Sequence, residues 1–229
     1  MKIEDVVAAE FVKRPNRFQG YVKLNGEEIK VAVPNTGRCN EILVEGTKVI
    51  LRKGKNPKRI TPYDLIAAYK GEKLINIDSQ APNKVVYEAL LNKKTPELKE
   101  YTIIEREKTY GESRFDFRLS NEDGEVYFLE VKGVTLEENG YCKFPDAPTE
   151  RGARHLLELV SAKEEGFGAG VMFLIQMDGM KEFSPYDERD PKFGEALRKS
   201  SRKGVDIFAY QCKVCENELT LSNKVDIKL

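Results

Sequence analysis

The sequence predicts a mixed α/β chain in two parts, a small β-barrel followed by an α/β domain. Residues 1–78 contain short alternating segments and turn residues with little helical periodicity, which is typical of a barrel. Residues 79–229 alternate helical and strand patterns, and the apolar run 169–177 is typical of a buried parallel strand. Charge divides the chain at the same point, because residues 1–78 carry 15 basic and 10 acidic side chains while the rest carry 23 and 28. The net charge of zero thus separates into +5 and −5, which supports domains 1–78 and 79–229.

Composition narrows the classes of protein to consider. Hydrophobic residues make up 40% of the chain, which is enough for a packed core. No apolar run reaches the ~20 residues that cross a bilayer. No charged-then-apolar leader opens the sequence, so we expect a cytoplasmic protein without a membrane partner. Cys212 and Cys215 form a lone CxxC motif whose role stays open, because a zinc site needs four ligands.

Five short strands are predicted in the first part. Asn25-Gly26 is a strong two-residue hairpin signal between the first two strands. Several short strands with little helix favour a barrel of the oligonucleotide/oligosaccharide-binding (OB) type. The predicted strands span residues 18–24, 28–33, 48–51, 64–69 and 73–77.

Basic side chains interleave with aromatic ones in this part, a pattern that suits a nucleic-acid backbone together with stacked bases. The alternative is a solvated basic loop with ordinary core aromatics. The segment 34–38 is a turn by composition, and it is either purely structural or faces a phosphate or the second domain. The candidate nucleic-acid contacts are Arg14, Arg17, Phe18, Asn35, Thr36, Arg38, Lys53, Lys55, Lys58 and Arg59.

Three helices are predicted in the second part, at residues 79–94, 148–164 and 191–203. Their expected N-caps are Ser79, Asp146 and Asp190. A strand, a helix and a buried strand in succession predict a right-handed βαβ unit. The remaining expectations are a strand at 101–108, a loop at 137–148, a strand at 205–210 and two short edge strands in 216–229.

The hairpin at residues 111–136 carries the candidate site. Charged and apolar residues alternate in both strands, and the turn 121–124 ends in Asp-Gly, which supplies the positive φ that hairpin loops need. Alternation places Glu130 and Lys132 on one face of the hairpin, the same face as Asp116 of the neighbouring strand. Charges on such apolar strands must be paired, hydrogen-bonded or metal-bound. Two carboxylates and a lysine can together hold Mg²⁺ against a phosphate.

Asp116 followed by Glu130-Val131-Lys132 resembles the D…(D/E)-x-K signature of the PD-(D/E)XK nuclease superfamily. Five segments follow one another along the chain. They are Arg17-Phe18, Pro34-Asn35-Thr36-Gly37, Ser113-Arg114-Phe115-Asp116-Phe117, Glu130-Val131-Lys132-Gly133-Val134-Thr135-Leu136 and Phe144-Pro145-Asp146-Ala147-Pro148-Thr149-Glu150-Arg151-Gly152. With these segments in the same order, the sequence resembles the SfsA family (sugar fermentation stimulation protein A) over nearly its whole length.

The resemblance implies an N-terminal OB barrel and a C-terminal PD-(D/E)XK nuclease-like domain with an αβββαβ core. Asp116, Glu130 and the carbonyl of Val131 would then bind Mg²⁺ or Mn²⁺, and Lys132 would orient water or neutralise charge on the phosphate. Glu88 on the first helix is a candidate further metal ligand, with a solvent-facing glutamate as the alternative. A plain salt bridge between Lys132 and one acid is the alternative for the whole site.

Three more polar residues lie at the start of the second predicted helix. Arg151, Arg154 and His155 fall on neighbouring turns and could contact a phosphate near the metal. A lone histidine on a helix also commonly has a structural role, so both interpretations of His155 stay open.

The family resemblance implies DNA as the partner, bound mainly through its backbone. Three functions remain open: a DNA-binding protein with a metal-capable nuclease-like site, a non-catalytic DNA-binding regulator of sugar metabolism genes, and an oligosaccharide- or protein-binding adaptor. The absence of tryptophan weakens the sugar-stacking option. Whether the chain acts as a divalent-metal-dependent endodeoxyribonuclease is left open, as is assembly into a homodimer.

Overall fold

The computed structural model describes residues 1–56 and 58–229. Six strands build the first part: β1 (Val6–Asn16), β2 (Gln19–Leu24), β3 (Glu27–Ala32), β4 (Lys48–Lys53), β5 (Tyr63–Lys70) and β6 (Lys73–Asn76). They form one sheet in the order β3-β2-β1-β4-β5-β6. The sheet closes on itself because Ala32 of β3 also pairs in parallel with Asp64 of β5. This connectivity is that of a five-stranded OB barrel with one extra strand, so the predicted barrel is confirmed.

The sequence did not predict β1, because its pattern lacks clean alternation. Five of its eleven residues are half-buried, and only Phe11 is fully buried. The strand pairs with β4 through Val6–Glu10 and with β2 through Glu10–Asn16, and register shifts interrupt the second pairing. A strand that bends from one partner to another, with bulges, cannot keep a strict period of two.

The second part contains a six-stranded sheet in the order β15-β14-β12-β9-β8-β7. Its strands are β7 (Ile103–Tyr110), β8 (Ser113–Ser120), β9 (Val126–Val134), β12 (Gly168–Ile175), β14 (Asp206–Cys215) and β15 (Glu218–Lys224). Its helices are α1 (Ala81–Leu91), α2 (Glu150–Glu164) and α3 (Pro191–Arg202). The parallel neighbours β9, β12 and β14 form the buried centre of the sheet.

The two faces of this sheet pack against different helices. Buried residues of α1 cluster with Phe117 and Leu129, whereas those of α2 and α3 cluster with Phe115 and Phe173. The chain order α1-β7-β8-β9-α2-β12 is the αβββαβ order that the sequence resemblance implies for this domain. The predicted fold class, a mixed α/β chain with an OB barrel followed by this domain, is therefore confirmed.

Two predicted helix caps differ from the structure. The Thr149 side chain caps α2 by accepting a hydrogen bond from the Gly152 amide at 2.9 Å, so Asp146 is not the cap. Gln80 precedes α1 without a side-chain cap, which excludes Ser79 from that role. Asp190 caps α3 as predicted, accepting from the Phe193 amide at 3.0 Å.

The segment 137–148 is not a simple loop. It contains β10 (Glu137–Glu138) and β11 (Tyr141–Phe144), which join β13 (Glu182–Pro185) and β16 (Asp226–Ile227) in a four-stranded sheet. The last predicted edge strand therefore belongs to this smaller sheet. At the end of β14, Cys212 is buried while Cys215 is exposed. Among the described residues, no helix combines the length and the hydropathy that a bilayer span requires.

Buried polar contacts join the barrel to the second domain. The Gln176 amide donates to the Asn76 carbonyl at 3.0 Å, to the Asn76 side chain at 2.8 Å and to the Asp78 carbonyl at 3.2 Å. Glu137 forms ion pairs with Lys70 at 3.1 Å and Lys73 at 3.3 Å. Such contacts fix the barrel against the ends of β9 and β12.

Candidate functional site

The strand β8 changes face at Asp116. The ring of Phe117 stacks on Tyr87 of α1, whereas the ring of Phe115 meets His155 of α2 on the other side of the sheet. Residues two apart on a regular strand face the same way, so the strand is irregular between them. Its ladder with β9 begins only at Phe117. On the neighbouring strand, Glu107 has a φ of 53°, and the pairing of β7 with β8 omits Glu107 and Asp116 while keeping the same register on either side.

At this irregularity, the Asp116 carboxylate accepts hydrogen bonds from the neighbouring strand β9 and from helix α1. The Val131 amide donates to Oδ2 at 2.8 Å, and the Asn83 side chain of α1 donates to Oδ1 at 2.6 Å. Burial, followed by the nearby charge of Glu130, raises the pKa of Asp116 to about 6 despite these two hydrogen bonds. The carboxylate is thus held beside a second acid in a dry environment, and the structure brings the predicted pair together.

Glu130 is 3% exposed, and one of its two oxygens carries all of its hydrogen bonds. Oε1 accepts from Lys132 Nζ at 2.5 Å and from His155 Nδ1 at 2.7 Å. Burial pushes the pKa of Glu130 up, but the His155 hydrogen bond and the Lys132 charge outweigh it, so the pKa lies below its usual value. Oε2 is buried and has no hydrogen-bond partner among the described residues. A buried carboxylate oxygen normally has a hydrogen-bond donor or a cation as its partner, and Oε2 has neither among the described residues.

His155 does not contact solvent, which contradicts its predicted role as a phosphate contact. Its side chain is 2% exposed, and both ring nitrogens are engaged within the protein. The Arg151 Nε–H donates to Nε2 at 3.2 Å, so Nδ1 carries the proton that Glu130 accepts. His155 therefore orients Glu130 from behind. Arg151 and Arg154 both lie exposed on α2, and their contact with phosphate stays a prediction.

Glu88 does not join the site, which contradicts its predicted role as a metal ligand. Its carboxylate forms an ion pair with the Met1 amino group at 2.6 Å and lies in a crevice with Thr220 and Leu221. The residue of α1 that does reach the site is Asn83, one turn earlier. No sequence signal marked Asn83, because an asparagine on a helix is ordinarily solvent-facing.

The oxygen donors fit a divalent cation of the hard type. Mg²⁺ and Mn²⁺ prefer carboxylate oxygens. Oε2 of Glu130 has no hydrogen-bond partner among the described residues, and the charge of Glu130 is close enough to Asp116 to raise the pKa of Asp116. A cation bound there would neutralise two like charges and supply the partner that Oε2 lacks. Among the described residues, no three His, Cys, Asp or Glu side chains gather into a ligand group. The set is therefore two carboxylates, with the Val131 carbonyl as a predicted third donor.

On the barrel, the guanidinium of Arg14 is engaged in hydrogen bonds to backbone carbonyls. Its guanidinium donates to the carbonyls of Asn35, Gly37 and Arg38 at 2.6 to 2.7 Å and to that of Arg17 at 2.8 Å. The predicted nucleic-acid contact by Arg14 is therefore wrong. Instead, the residue ties segment 34–38 to the β1–β2 turn.

Asn35 and Arg59 are likewise engaged within the protein. The Asn35 amide donates to the Ile77 carbonyl at 2.8 Å, and its Oδ1 accepts from the Gly37 amide at 2.6 Å. Arg59 pairs with Asp64 at 2.5 Å. Both predicted nucleic-acid contacts are corrected to structural roles, because their polar groups already have partners. The other predicted contacts on the barrel remain exposed: Arg17, Phe18, Thr36, Arg38, Lys53, Lys55 and Lys58.

Two cavities involve the exposed barrel residues. The barrel groove has a volume of about 560 Å³ and is lined by Arg14, Asn16, Arg17, Phe18, Thr36, Arg38, Asn40 and Leu43. The interdomain pocket has a volume of about 160 Å³, and its lining includes Thr36, Gly133, Thr135 and Lys143. Thr36 lines both cavities, and Gly133 follows Lys132 directly in β9.

Comparison with known proteins identifies relatives over the whole chain. A sugar fermentation stimulation protein homolog of Clostridium acetobutylicum is 64% identical over 230 residues, and one from Clostridium botulinum strain Hall is 60% identical, each covering all of both chains. The structure of Pyrococcus furiosus SfsA in complex with Ca²⁺ is similar with a TM-score of 0.91 at 29% identity, covering 100% of this chain and 98% of the other.

Two family models match the chain in sequence. Residues 12–77 match the SfsA N-terminal OB domain, and residues 80–218 match the sugar fermentation stimulation protein RE domain. Together with the full-length relatives, these matches show that the chain belongs to the SfsA family of sugar fermentation stimulation proteins.

Proposed function

We propose that this chain is a DNA-binding phosphodiesterase that uses Mg²⁺ or Mn²⁺. In this proposal, residues 1–78 bind DNA and residues 79–229 hold the reaction centre. The carrying observation is the unpartnered Oε2 of Glu130, buried beside the Asp116 carboxylate in an αβββαβ domain. The Ca²⁺ complex of the related Pyrococcus furiosus protein supports a divalent cation in this family.

In this proposal, each residue of the site has its own role. Asp116 and Glu130 would hold the cation, which when bound supplies positive charge against the phosphate and lowers the pKa of a water. Lys132 donates one proton of its ammonium group to Glu130 Oε1. The two remaining protons can orient a water or a phosphate oxygen, because an ammonium group has three donors. His155 and Asn83 hold the two carboxylates in place.

The test pairs cation binding with DNA cleavage. Single-stranded, duplex and branched DNA are incubated with Mn²⁺ or Mg²⁺, and Mn²⁺ affinity is measured by calorimetry. We expect the wild type to cut, and we expect Asp116→Asn, Glu130→Gln and Lys132→Ala each to lose at least about a hundredfold in rate. The two acid variants also weaken Mn²⁺ binding, while DNA affinity in EDTA stays near the wild-type value.

Glu88→Gln is the matched control, since it removes a carboxylate of α1 that lies outside the site. Cutting by wild type that survives all three site variants would overturn the assignment of these residues. Thermal unfolding of each variant separates loss of the site from loss of the fold.

A second candidate is a DNA-binding regulator that holds the cation without turnover. Asn83 favours it, because this neutral side chain contacts Asp116 where a third acid would add a metal ligand. DNA binding and Mn²⁺ binding without cleavage of any substrate would support this function and exclude the phosphodiesterase.

A further inference from the structure

The barrel groove has the features of a binding surface for a nucleic-acid strand. Phe18 stands at the β1–β2 turn with 60% of its surface exposed. The guanidinium of Arg17 lies 5.4 Å from the centre of its ring, and Arg38 is exposed in the same groove. None of the groove's described lining residues is acidic. An exposed aromatic ring flanked by cations suits a stacked base with a phosphate on either side.

The barrel groove and the interdomain pocket share one lining residue among the described residues. Thr36 lines both the barrel groove and the interdomain pocket. Lys143 and the hydroxyl-bearing Thr135 line that pocket with Gly133, and Asp146 is its one acidic member among the described residues. Gly133 directly follows Lys132 in β9, so the pocket reaches the strand that carries the candidate catalytic lysine. Hydroxyl and ammonium groups along such a route can donate to successive phosphate oxygens.

We propose that a single DNA strand runs along this route, with a base stacked on Phe18 and its backbone passing Thr36 into the interdomain pocket toward Lys132. This inference rests on the proposed function and adds the form of the substrate and its direction of approach. Bases can stack on a protein ring only when they are unpaired or splayed out of the helix. The interdomain pocket has a volume of about 160 Å³, so it can admit part of one backbone and not a duplex.

The loop that carries Lys53 and Lys55 serves a different surface. These two residues line a groove that shares no described lining residue with the barrel groove or the interdomain pocket. Its other charged lining residues are the basic Lys2, Arg52, Arg59 and Lys84 and the acidic Glu4, Asp5 and Asp64. The acids offset part of the basic charge, whereas the described lining of the barrel groove contains no acid. This groove is the rival surface that the experiment separates from the proposed route.

Binding is measured first in EDTA, so that cleavage plays no part. Fluorescence anisotropy compares a labelled 15-nucleotide strand with the same sequence as a duplex, at several salt concentrations. We expect Phe18→Ala to weaken single-strand binding about tenfold, which is the usual contribution of one stacked base, and Phe18→Tyr to restore it. Ile60→Ala, which removes a side chain that is 91% exposed on the other loop, leaves affinity unchanged.

Charge variants test the direction of the route. Arg17→Ala with Arg38→Ala should lower single-strand affinity and reduce the salt dependence by about two phosphate contacts. Lys192→Ala with Lys199→Ala removes the same charge from exposed positions of α3, so this control should leave affinity within about twofold of wild type. Lys53→Ala with Lys55→Ala tests the rival surface and should lower affinity less than the Arg17 and Arg38 changes. Lys143→Ala should slow cleavage with Mn²⁺ at saturating DNA, because this residue lines the interdomain pocket that the strand is proposed to enter.

The outcomes separate this inference from the proposed function. If DNA is bound and cut while the Phe18 and Arg17/Arg38 variants behave as wild type, the route is wrong and the function stands. Equal loss of duplex and single-strand binding in those variants, or a dominant effect of Lys53 and Lys55, also overturns the route. Failure of every DNA to bind overturns both, and tighter binding of an RNA strand of the same sequence overturns the assignment to DNA.

Discussion

His155 Nδ1 donates a hydrogen bond to Glu130 Oε1 at 2.7 Å, and this contact fixes which oxygen of the glutamate is left without a partner. Lys132 also binds Oε1, so Oε2 is the oxygen that faces away from both donors. Arg151 donates to the other ring nitrogen and thereby keeps the proton on Nδ1. Lys132 and His155 orient Glu130, the candidate metal ligand, and Arg151 orients His155. Hydrogen bonds of this kind to a metal ligand ordinarily increase the affinity of a metal site.

Replacing His155 should therefore weaken cation binding without removing a ligand. We expect His155→Ala and His155→Gln to lower Mn²⁺ affinity about tenfold to a hundredfold in calorimetry. His155→Asn should retain most of the affinity, because its side-chain N–H can occupy the position of Nδ1–H. If Asn and Ala variants bind Mn²⁺ equally weakly, the ring acts only by filling space. Urea unfolding of each variant measures that packing contribution separately.

Asn83 offers a variant that should gain cation affinity while losing stability. Its amide donates to Asp116 Oδ1 at 2.6 Å. Asn83→Asp replaces that donor by a third carboxylate, so repulsion should lower the free energy of unfolding by about 1–3 kcal/mol in EDTA. With Mn²⁺ present, the same change should add a ligand and raise the melting temperature by more than in wild type. An equal Mn²⁺-induced shift in both proteins would place the cation away from Asp116.

The sequence was sufficient to predict the acidic pair and the fold, because both depend on local pattern. Alternation in β8 and β9 identified Asp116, Glu130 and Lys132 as polar residues within apolar strands. The resemblance to the SfsA family added the order of the motifs. What alternation could not predict is the change of face at Asp116, which coincides with a break in the pairing opposite Glu107, a residue with a φ of 53°.

The errors share one physical cause, which is that long polar side chains find partners within the folded chain that the linear sequence does not single out. Arg14 and Arg59 were expected to meet phosphate, yet backbone carbonyls and Asp64 engage them. Glu88 pairs with the Met1 amino group, which lies 87 positions away in the sequence. Composition shows that such groups exist but not which partner is nearest once the domains have packed.

Lowering the pH should weaken the contact between the two domains, because it protonates Glu137 and removes its ion pairs with Lys70 and Lys73. Burial pushes the pKa of this carboxyl up, but the Lys70 ammonium and the Gly140 amide outweigh it and hold the pKa below the usual 4.5. A carboxyl whose pKa is lowered by folding stabilises the protein above its unfolded value, and that contribution is lost as the pH falls through the folded value. Stability measured by urea unfolding should therefore decline below about pH 4.5 by roughly 1 kcal/mol more in wild type than in Glu137→Gln.

The control for this effect is Glu138→Gln, one residue later on the same strand and exposed. It should keep the wild-type pH profile. A Glu137→Gln profile that follows wild type throughout would show that the two lysines gain nothing from the ionised carboxylate.

Gly133 should tolerate no side chain, because two neighbours occupy the space that a Cβ would need. A Cβ built at this position meets Gln176 Oε1 and lies 2.7 Å from Pro82 Cγ. Gln176 is itself held by three hydrogen bonds to the barrel, so it cannot move aside without breaking the domain joint. We expect Gly133→Ala to lower the free energy of unfolding by about 1–3 kcal/mol. Gly20→Ala is the control: its Cβ would find its nearest neighbour at 3.4 Å, an ordinary contact, so equal destabilisation by both changes would contradict the explanation from close packing.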